Sequence, residues 1–414
     1  MEPNSVRLSA STLTILRDAR LYAPKSLGVV EIVIAGEKIV AILPRGTPVT
    51  GLPMIEIDVG GRIVCPGFVD NHIHILGGGG GLGFSSRAPE IQASQLARAG
   101  ITTAIGMLGF DATTKSIAAL VAKTKGLRED GLSAYCLTGA TLEHPIPTLT
   151  GKIRTDLAFI NEIIGVGEIS ISELGYGYDS FGSGSQYVAE AAVAGLLAGR
   201  LSRKSGYLCL QVPPYLSQVL KPLFEIIART GIPITQFVPS HVNQTDGYMA
   251  DAIEWGRKGG WVDIGANYSP ENNYSRAWMP SKAFTELREK GVPLDQILMS
   301  SDGNGAPPRE EKGENKPLVA NYMPVRALHA AWRRIIQEEG ASLEDALQIV
   351  TSNVAKATGL ASKGELAVGK DADLLILEED LSIRSVIARG MTVVEQGKPV
   401  SRGMFDQVLL DELQ

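Results

Sequence analysis

Histidine, cysteine and basic charge are all in short supply in this chain. Only five histidines occur in 414 residues, so any cluster of imidazoles has to be assembled by the fold from distant segments. The three cysteines, Cys65, Cys136 and Cys209, are odd in number, widely spaced and set in apolar stretches. That pattern excludes a disulfide framework and a four-cysteine zinc site, and fits reduced core thiols. Lys and Arg total 39 against 45 Asp and Glu, giving a net charge of -6 and a pI near 5.6. Nucleic acid and anionic membrane surfaces both demand a basic face, so neither is expected as a partner. No apolar run approaches the roughly 20 residues of a membrane span, and no basic-then-apolar leader opens the chain. A soluble, cytoplasmic protein is the expectation. Low-complexity sequence is absent apart from one glycine run, Gly77 to Gly81, and no internal repeat is visible beyond an alternation of strand and helix.

What is present is a large core and many turns. A chain that is 44% hydrophobic and 20% charged, with 46 glycines and 22 prolines, suits repeated strand-turn-helix units plus a smaller domain. Residues 12–62 read as short β-rich runs broken at Gly36-Glu37, Arg45 to Pro48 and Gly60-Gly61. From Ile63 the rhythm becomes strand, loop, helix. Strands are predicted at 63–69, 101–107, 133–138, 166–171, 206–211, 233–238, 261–265 and 296–300, with amphipathic helices between them and a last helical pair at about 319–338 and 343–358. Eight strands, each followed by a helix, is the count of a (β/α)₈ TIM barrel, with an open doubly wound sheet as the competitor. The tail returns to strands at 374–377, 385–389 and 391–395. The expected organisation is therefore α/β: a barrel over 63–362, and a small β-sandwich domain built from 1–62 and 363–414.

Barrel chemistry collects where strands end. In Asp70-Asn71-His72-Ile73-His74, strand alternation points both imidazoles the same way, and the glycines that follow let backbone come close to a metal or ligand. The fourth strand carries Glu168 in an apolar run, where a carboxylate is costly without a cation. The sixth ends in Pro239-Ser240-His241-Val242-Asn243, and the eighth in Ser300-Ser301-Asp302-Gly303-Asn304. His72, His74, Glu168, His241 and Asp302 are thus candidate ligands of a divalent cation, of the donor types zinc prefers.

The leader Val64 to Asp70 with His-x-His, Asp302, and the tail Gly364 to Leu374 together resemble the amidohydrolase superfamily over almost the whole chain. Gly77 to Gly80, Thr138-Gly139-Ala140, Pro239 to Asn243 and Ser300 to Gly305 resemble its isoaspartyl (β-aspartyl) dipeptidases. The resemblance implies a (β/α)₈ hydrolase with one or two Zn²⁺, other divalent metals being acceptable, that cleaves an amide C–N bond with metal-activated water. It assigns His72, His74, His241 and Asp302 as ligands and Asp302 also as general base. The family's bridging carboxylated lysine has no counterpart, and Glu168 aligns in its place, offering two oxygens without carbon dioxide. The fifth-strand histidine is replaced by Gln211, a weaker neutral donor, which leaves the number of metals open.

Recognition positions depart further. The acidic residue expected after the glycine run is Gly81-Leu82, and the arginine expected after His241 is Gln244. Thr141 stands for a tyrosine, Leu174-Gly175 for a second arginine, and Ala306 for a serine. Such losses point to a neutral or more apolar amide in place of a free dipeptide, with Gly79, Gly80, Gln211, Gln244 and Asn304 as candidate substrate contacts and Arg87, Lys152 or Arg154 as cations within reach. His144 is a second candidate catalytic residue, able to polarise a carbonyl or donate a proton. Tyr176, Tyr178, Tyr268, Tyr274 and Trp278 form a candidate aromatic wall, each individually expected in surface packing; His329 reads as structural. A metal-dependent amidohydrolase acting on a small peptide-like substrate, and a homo-oligomer, are expected. A deaminase or cyclic-amide hydrolase on the same core, or an inert binding relative, are the alternatives.

Overall fold

A computed structural model describes residues 12–141, 145–170, 184–212, 220–272, 274–310, 318–400, 403–404 and 406. Both ends of the chain enter one nine-stranded sheet. Leu13–Tyr22 lies beside Ser26–Ala35, Met54–Asp58 and Ile63–Pro66, and Ile63–Pro66 pairs antiparallel with Leu374–Leu377 of the tail. Aliphatic residues, most of them β-branched, face inward from both halves: Ile32, Ile34, Ile39, Val64, Leu374 and Ile376 share one core cluster. Backbone pairing through Ile63–Pro66 thus links strands from the two terminal segments.

The rest is α/β. Phe68–Ile73, Ile101–Gly106, Ser133–Thr138, Ile163–Ser170, Tyr207–Gln211 and Phe237–Pro239 form a six-stranded sheet in chain order, each pair parallel. Val262–Gly265 and Ile297–Ser300 make a further parallel pair. A parallel bridge from Ile73 to Gly303, with the His74 amide 2.9 Å from the Gly303 carbonyl, brings the last strand back to the first. Between the sixth and seventh strands the Asn243 side chain spans the gap, its amide nitrogen reaching Gly265 O at 3.1 Å and its oxygen accepting from Gly265 N at 2.8 Å. The curled sheet fits a TIM barrel. Among the described residues no helix is long and apolar enough to cross a membrane.

Several predicted elements change. The single strand expected over 63–69 is two: Ile63–Pro66 joins the terminal sheet and Phe68–Ile73 the parallel one, with Gly67 between them. A Cβ at Gly67 would lie 2.2 Å from Thr102 Oγ1, so only glycine passes here. The strand predicted at 233–238 is mostly a 3₁₀ turn, Ile234–Gln236 after Pro233, leaving Phe237–Pro239 extended. The helix predicted at 319–338 begins at Ala327, because Pro324 disfavours helix before it and Leu318–Ala320 pairs instead with Pro308–Glu310. The helix predicted at 343–358 is broken at non-helical Thr351 into Leu343–Gln348 and Ser352–Thr358.

Candidate active site

His72 is the penultimate residue of the first parallel strand and His74 lies just beyond its end, with Ile73 turned into the core. The strand end is tied down by Asp70, whose Oδ1 accepts from His72 N at 3.2 Å and from Ser301 N at 3.1 Å. His74 is fixed through its backbone, where its carbonyl accepts from Asn304 Nδ2 at 3.0 Å and from Gly77 N at 2.8 Å. Its ring packs so closely on Gly109 that a Cβ there would come 2.7 Å from Cε1. His241 and Asp302 follow their strands in left-handed conformations, φ 59° and 51°, which turn both side chains inward. Glu168 projects from the fourth strand, and its Oε2 accepts from Thr141 Oγ1 at 3.1 Å.

The five candidate ligands meet at one place, all buried. His72 Nε2 lies 3.6 Å from Glu168 Oε1 and 3.7 Å from Asp302 Oδ1. Asp302 Oδ1 is 3.0 Å from His74 Nε2, and Oδ2 is 3.8 Å from His241 Nδ1. Two ligand sets emerge with mutually close donor atoms, His72 with His74 and Glu168, and His72 with His241 and Asp302. His72 belongs to both.

These donors suit a cation. His72 Nδ1 sits 3.3 Å from Ser240 Oγ and 3.7 Å from Cys209 Sγ, so the ring proton belongs on that side and the Nε2 lone pair faces the carboxylates. Burial and the neighbouring His241 hold His72 well below its ordinary pKa, so the ring is neutral. A neutral nitrogen turning its lone pair toward two carboxylate oxygens is unfavourable unless positive charge lies between them. His72 Nε2 and both ring nitrogens of His241 are buried without a hydrogen-bond partner. Donors about 2.1 Å from a tetrahedral ion stand about 3.4 Å apart, close to the separations seen. Burial likewise pushes the Glu168 carboxyl up to about 7, and lowers His241 to about 4. Burial alone would lower His74 and raise Asp302, but their mutual hydrogen bond, with the other imidazoles acting on Asp302, reverses both, raising His74 and holding Asp302 ionised.

The remaining predicted positions separate. Gln211 shares a face of its strand with Cys209, and its Oε1 is buried without a hydrogen-bond partner among the described residues. Gln244 is buried, and its amide nitrogen makes a long 3.5 Å contact to Val212 O. Asn304 spends both amide bonds on His74 O and Pro89 O, which makes it a support of the loop. Gly79 bridges to Arg87, and a side chain on Gly80 would meet Arg87 and Asp111. Arg87 reaches this rim, but it is engaged by Asp111 at 3.5 Å and Thr114 at 2.7 Å. Lys115, not singled out from the sequence, donates its Nζ to the Gly77 carbonyl. His144, Tyr176, Tyr178 and Leu174-Gly175 lie outside the described residues. His329 bonds Leu381 O at 2.9 Å against Phe68 and Trp332, as a structural histidine.

Tyr268 corrects the expectation of surface packing. It is 3% exposed, stacks on His241 at 4.8 Å and donates its hydroxyl to Asp302 Oδ2 at 2.8 Å. Its place just past the end of the seventh strand was the available signal. Trp278 is half-buried against the main core and donates its indole N–H to Asp246 at 2.7 Å.

The fold and this cluster of imidazoles and carboxylates define a hydrolase of the amidohydrolase type, acting on C–N bonds. A profile of the Amidohydrolase family matches residues 315–396. The β-aspartyl dipeptidase of the thermophilic, keratin-degrading Fervidobacterium islandicum AW-1 is 30% identical, with a TM-score of 0.82 over 94% of this chain and 98% of that one. Its complex with the β-Asp-Leu dipeptide superposes with a TM-score of 0.83, again at 30% identity and over 94% and 98% of the two chains. The dihydropyrimidinase of Brevibacillus agri NCHU1002, at 16% identity and a TM-score of 0.62 over 94% and 97%, shares the fold. The chain belongs to the amidohydrolase superfamily and is isoaspartyl dipeptidase-like.

Proposed function

We propose that this protein is a zinc-dependent amidohydrolase that cleaves an amide in a small peptide-like substrate but handles free isoaspartyl dipeptides poorly. The observation that carries the reading is the convergence of three partly unpartnered imidazoles on two buried carboxylates. The reading takes the eight parallel strands, beginning with Phe68–Ile73, as a closed TIM barrel within 63–362, and the terminal segments 1–62 and 363–414, with Ile63–Pro66 between them, as a β-sandwich.

His72, His74, His241, Glu168 and Asp302 would hold the ion, and Gln211 is the neutral donor nearest in strand position to a second one. When bound, a divalent cation supplies Lewis acidity to the carbonyl and to a water. Asp302 takes the proton of the attacking water and returns it to the leaving nitrogen. Glu168, once ionised, offsets cationic charge with a carboxylate that belongs to the chain itself, so activity needs no bicarbonate. Ser240 holds His72 in the tautomer whose free nitrogen faces the site.

Metal uptake on this reading releases protons. Glu168, pushed up to about 7, must ionise, and His74 must shed any proton it holds, whereas His72 and His241 are already neutral. Apparent affinity should therefore weaken as pH falls below about 7, by roughly tenfold per unit for each proton released. Chelator competition across that range measures it; a flat profile would remove Glu168 from the ligand set.

Support for altered recognition comes from the rim residues that are described. Thr141 is engaged with Glu168, Gln244 is neutral, and Ala306 is apolar and packed near Gly79. A site that must pair a substrate carboxylate or ammonium loses several kcal/mol when the partner is missing. Zinc-supplemented assays of β-aspartyl dipeptides, N-acyl amino acids and cyclic amides test this. Higher kcat/KM for an N-acyl amino acid or cyclic amide than for β-Asp-Leu is expected. β-Asp-Leu as the best substrate would return the chain to plain isoaspartyl dipeptidase, and failure to bind metal or turn over any substrate would favour an inert binding relative.

A further inference from the structure

Asp302 has two oxygens with different neighbours. Oδ1 faces His74 Nε2 at 3.0 Å, and Oδ2 receives the Tyr268 hydroxyl at 2.8 Å. An ionised carboxylate has no proton to give, so the tyrosine is the donor in this bond. The same ring stacks on His241, with centroids 4.8 Å apart and planes 27° from parallel. One side chain therefore touches two of the candidate ligands, through its edge and through its face.

The fold is built to keep that ring where it is. Gly265 ends the seventh strand, and a Cβ there would lie 2.5 Å from Tyr268 Cδ2 and 3.0 Å from His241 Cδ2. The turn closes with Tyr268 N on Gly265 O at 3.2 Å. Asn243, two residues after His241, clamps the turn from the other side: its amide bonds Gly265 O at 3.1 Å, Tyr268 O at 2.9 Å and Trp278 O at 3.1 Å. Tyr274 packs against the outer face of the assembly, with centroids 4.7 Å from Tyr268. Sequence neighbours of one ligand thus fix the residue that fixes another.

We propose that Tyr268 is the positioning residue of this site: its hydroxyl sets the rotation of the Asp302 carboxylate while its ring backs His241. The inference rests on the proposed function for its kinetic consequence, but not for its geometry. A carboxylate pinned at Oδ2 presents Oδ1 to the histidines in a single orientation. Without the pin the two oxygens exchange places by rotation about the Cβ–Cγ bond, and the group that must meet the water is misaimed for part of the time. Such a loss falls on kcat and leaves KM nearly unchanged, because Tyr268 reaches the chemistry only through Asp302.

Tyr268→Phe removes the hydroxyl and keeps the stacked ring. In the zinc-loaded full chain we expect unchanged folding and metal content, kcat lowered about 10- to 100-fold as for the loss of a hydrogen bond to a charged group, and KM within about threefold. In the cobalt-loaded protein the visible absorption bands should shift, since they report the orientation of the carboxylate at the ion. Unchanged kcat together with an unchanged cobalt spectrum would overturn the proposal. If the wild-type protein hydrolyses no substrate of the panel, the proposed function fails, and the cobalt spectrum still decides the role of Tyr268. Should Tyr268→Phe not fold, Gly265→Ala gives a second test, because its methyl presses on the Tyr268 ring, and on His241 beside it, while leaving the hydroxyl in the chain. Normal kcat and an unshifted cobalt spectrum in Gly265→Ala would equally overturn it.

Discussion

Replacing His72 by alanine is expected to abolish metal binding and, with it, turnover. His72 is the one residue common to both sets of converging donors found among the described residues, so its loss breaks both. It is also the residue whose environment is most specific: Ser240 and Cys209 on one side of the ring, Glu168 and Asp302 on the other, none of it open to solvent. Losing the ion that His72 helps to hold leaves the buried carboxylates of Glu168 and Asp302 without a cation, and burial already pushes the Glu168 carboxyl up to about 7. Metal content by mass spectrometry or atomic absorption should fall to near background, while circular dichroism stays close to wild type, because the strand is held by Asp70 and by backbone pairing to its neighbours. Full metal retention in this variant would sink the ligand assignment. An alanine at His329, by contrast, should leave metal content untouched, since that ring bonds Leu381 far from the cluster.

The ligand candidates were legible because each depends on local rules. Alternation within a short strand places His72 and His74 on one side, and the strand-end rule gathers Glu168, His241 and Asp302 at the same rim. Nothing distant has to be known. Tyr268 was not legible in the same way, because its inward turn depends on a glycine at the strand end and on Asn243, which lies 25 residues away. The strand break falls at Gly67, where the distant Thr102 side chain leaves no room for a Cβ, and apolar periodicity alone runs straight through it. The sixth strand was overextended for a local reason, since β-branched Ile232, Ile234 and Thr235 look like strand although the segment turns after Pro233. Arg87 illustrates the limit of reading charge from sequence: a cation at the right height on the rim is already engaged by Asp111.

The second large effect is expected from Asp302→Asn, and it differs in kind from the first. Asp302 occupies left-handed backbone, φ 51°, which asparagine adopts more readily than most residues, so the turn after the eighth strand should survive. The amide is nearly isosteric with the carboxylate. Its oxygen can still accept from Tyr268, and its nitrogen can face His74, whose neutral ring can supply an acceptor by changing tautomer. What it cannot do is take a proton from water or carry one to a leaving nitrogen. Turnover should therefore fall by about a hundredfold to ten-thousandfold, with thermal stability close to wild type and a metal content reduced far less than in His72→Ala. Folding, metal content and rate thus separate the two variants: one loses the ion, the other keeps a site that binds but cannot move the proton. Tyr268→Phe should lie between wild type and Asp302→Asn in rate, and adding it to Asp302→Asn should cost little more, because the hydroxyl acts through the carboxylate that has already been lost. Near-normal turnover in Asp302→Asn would remove this residue from its role as base and transfer the search to the histidines around it.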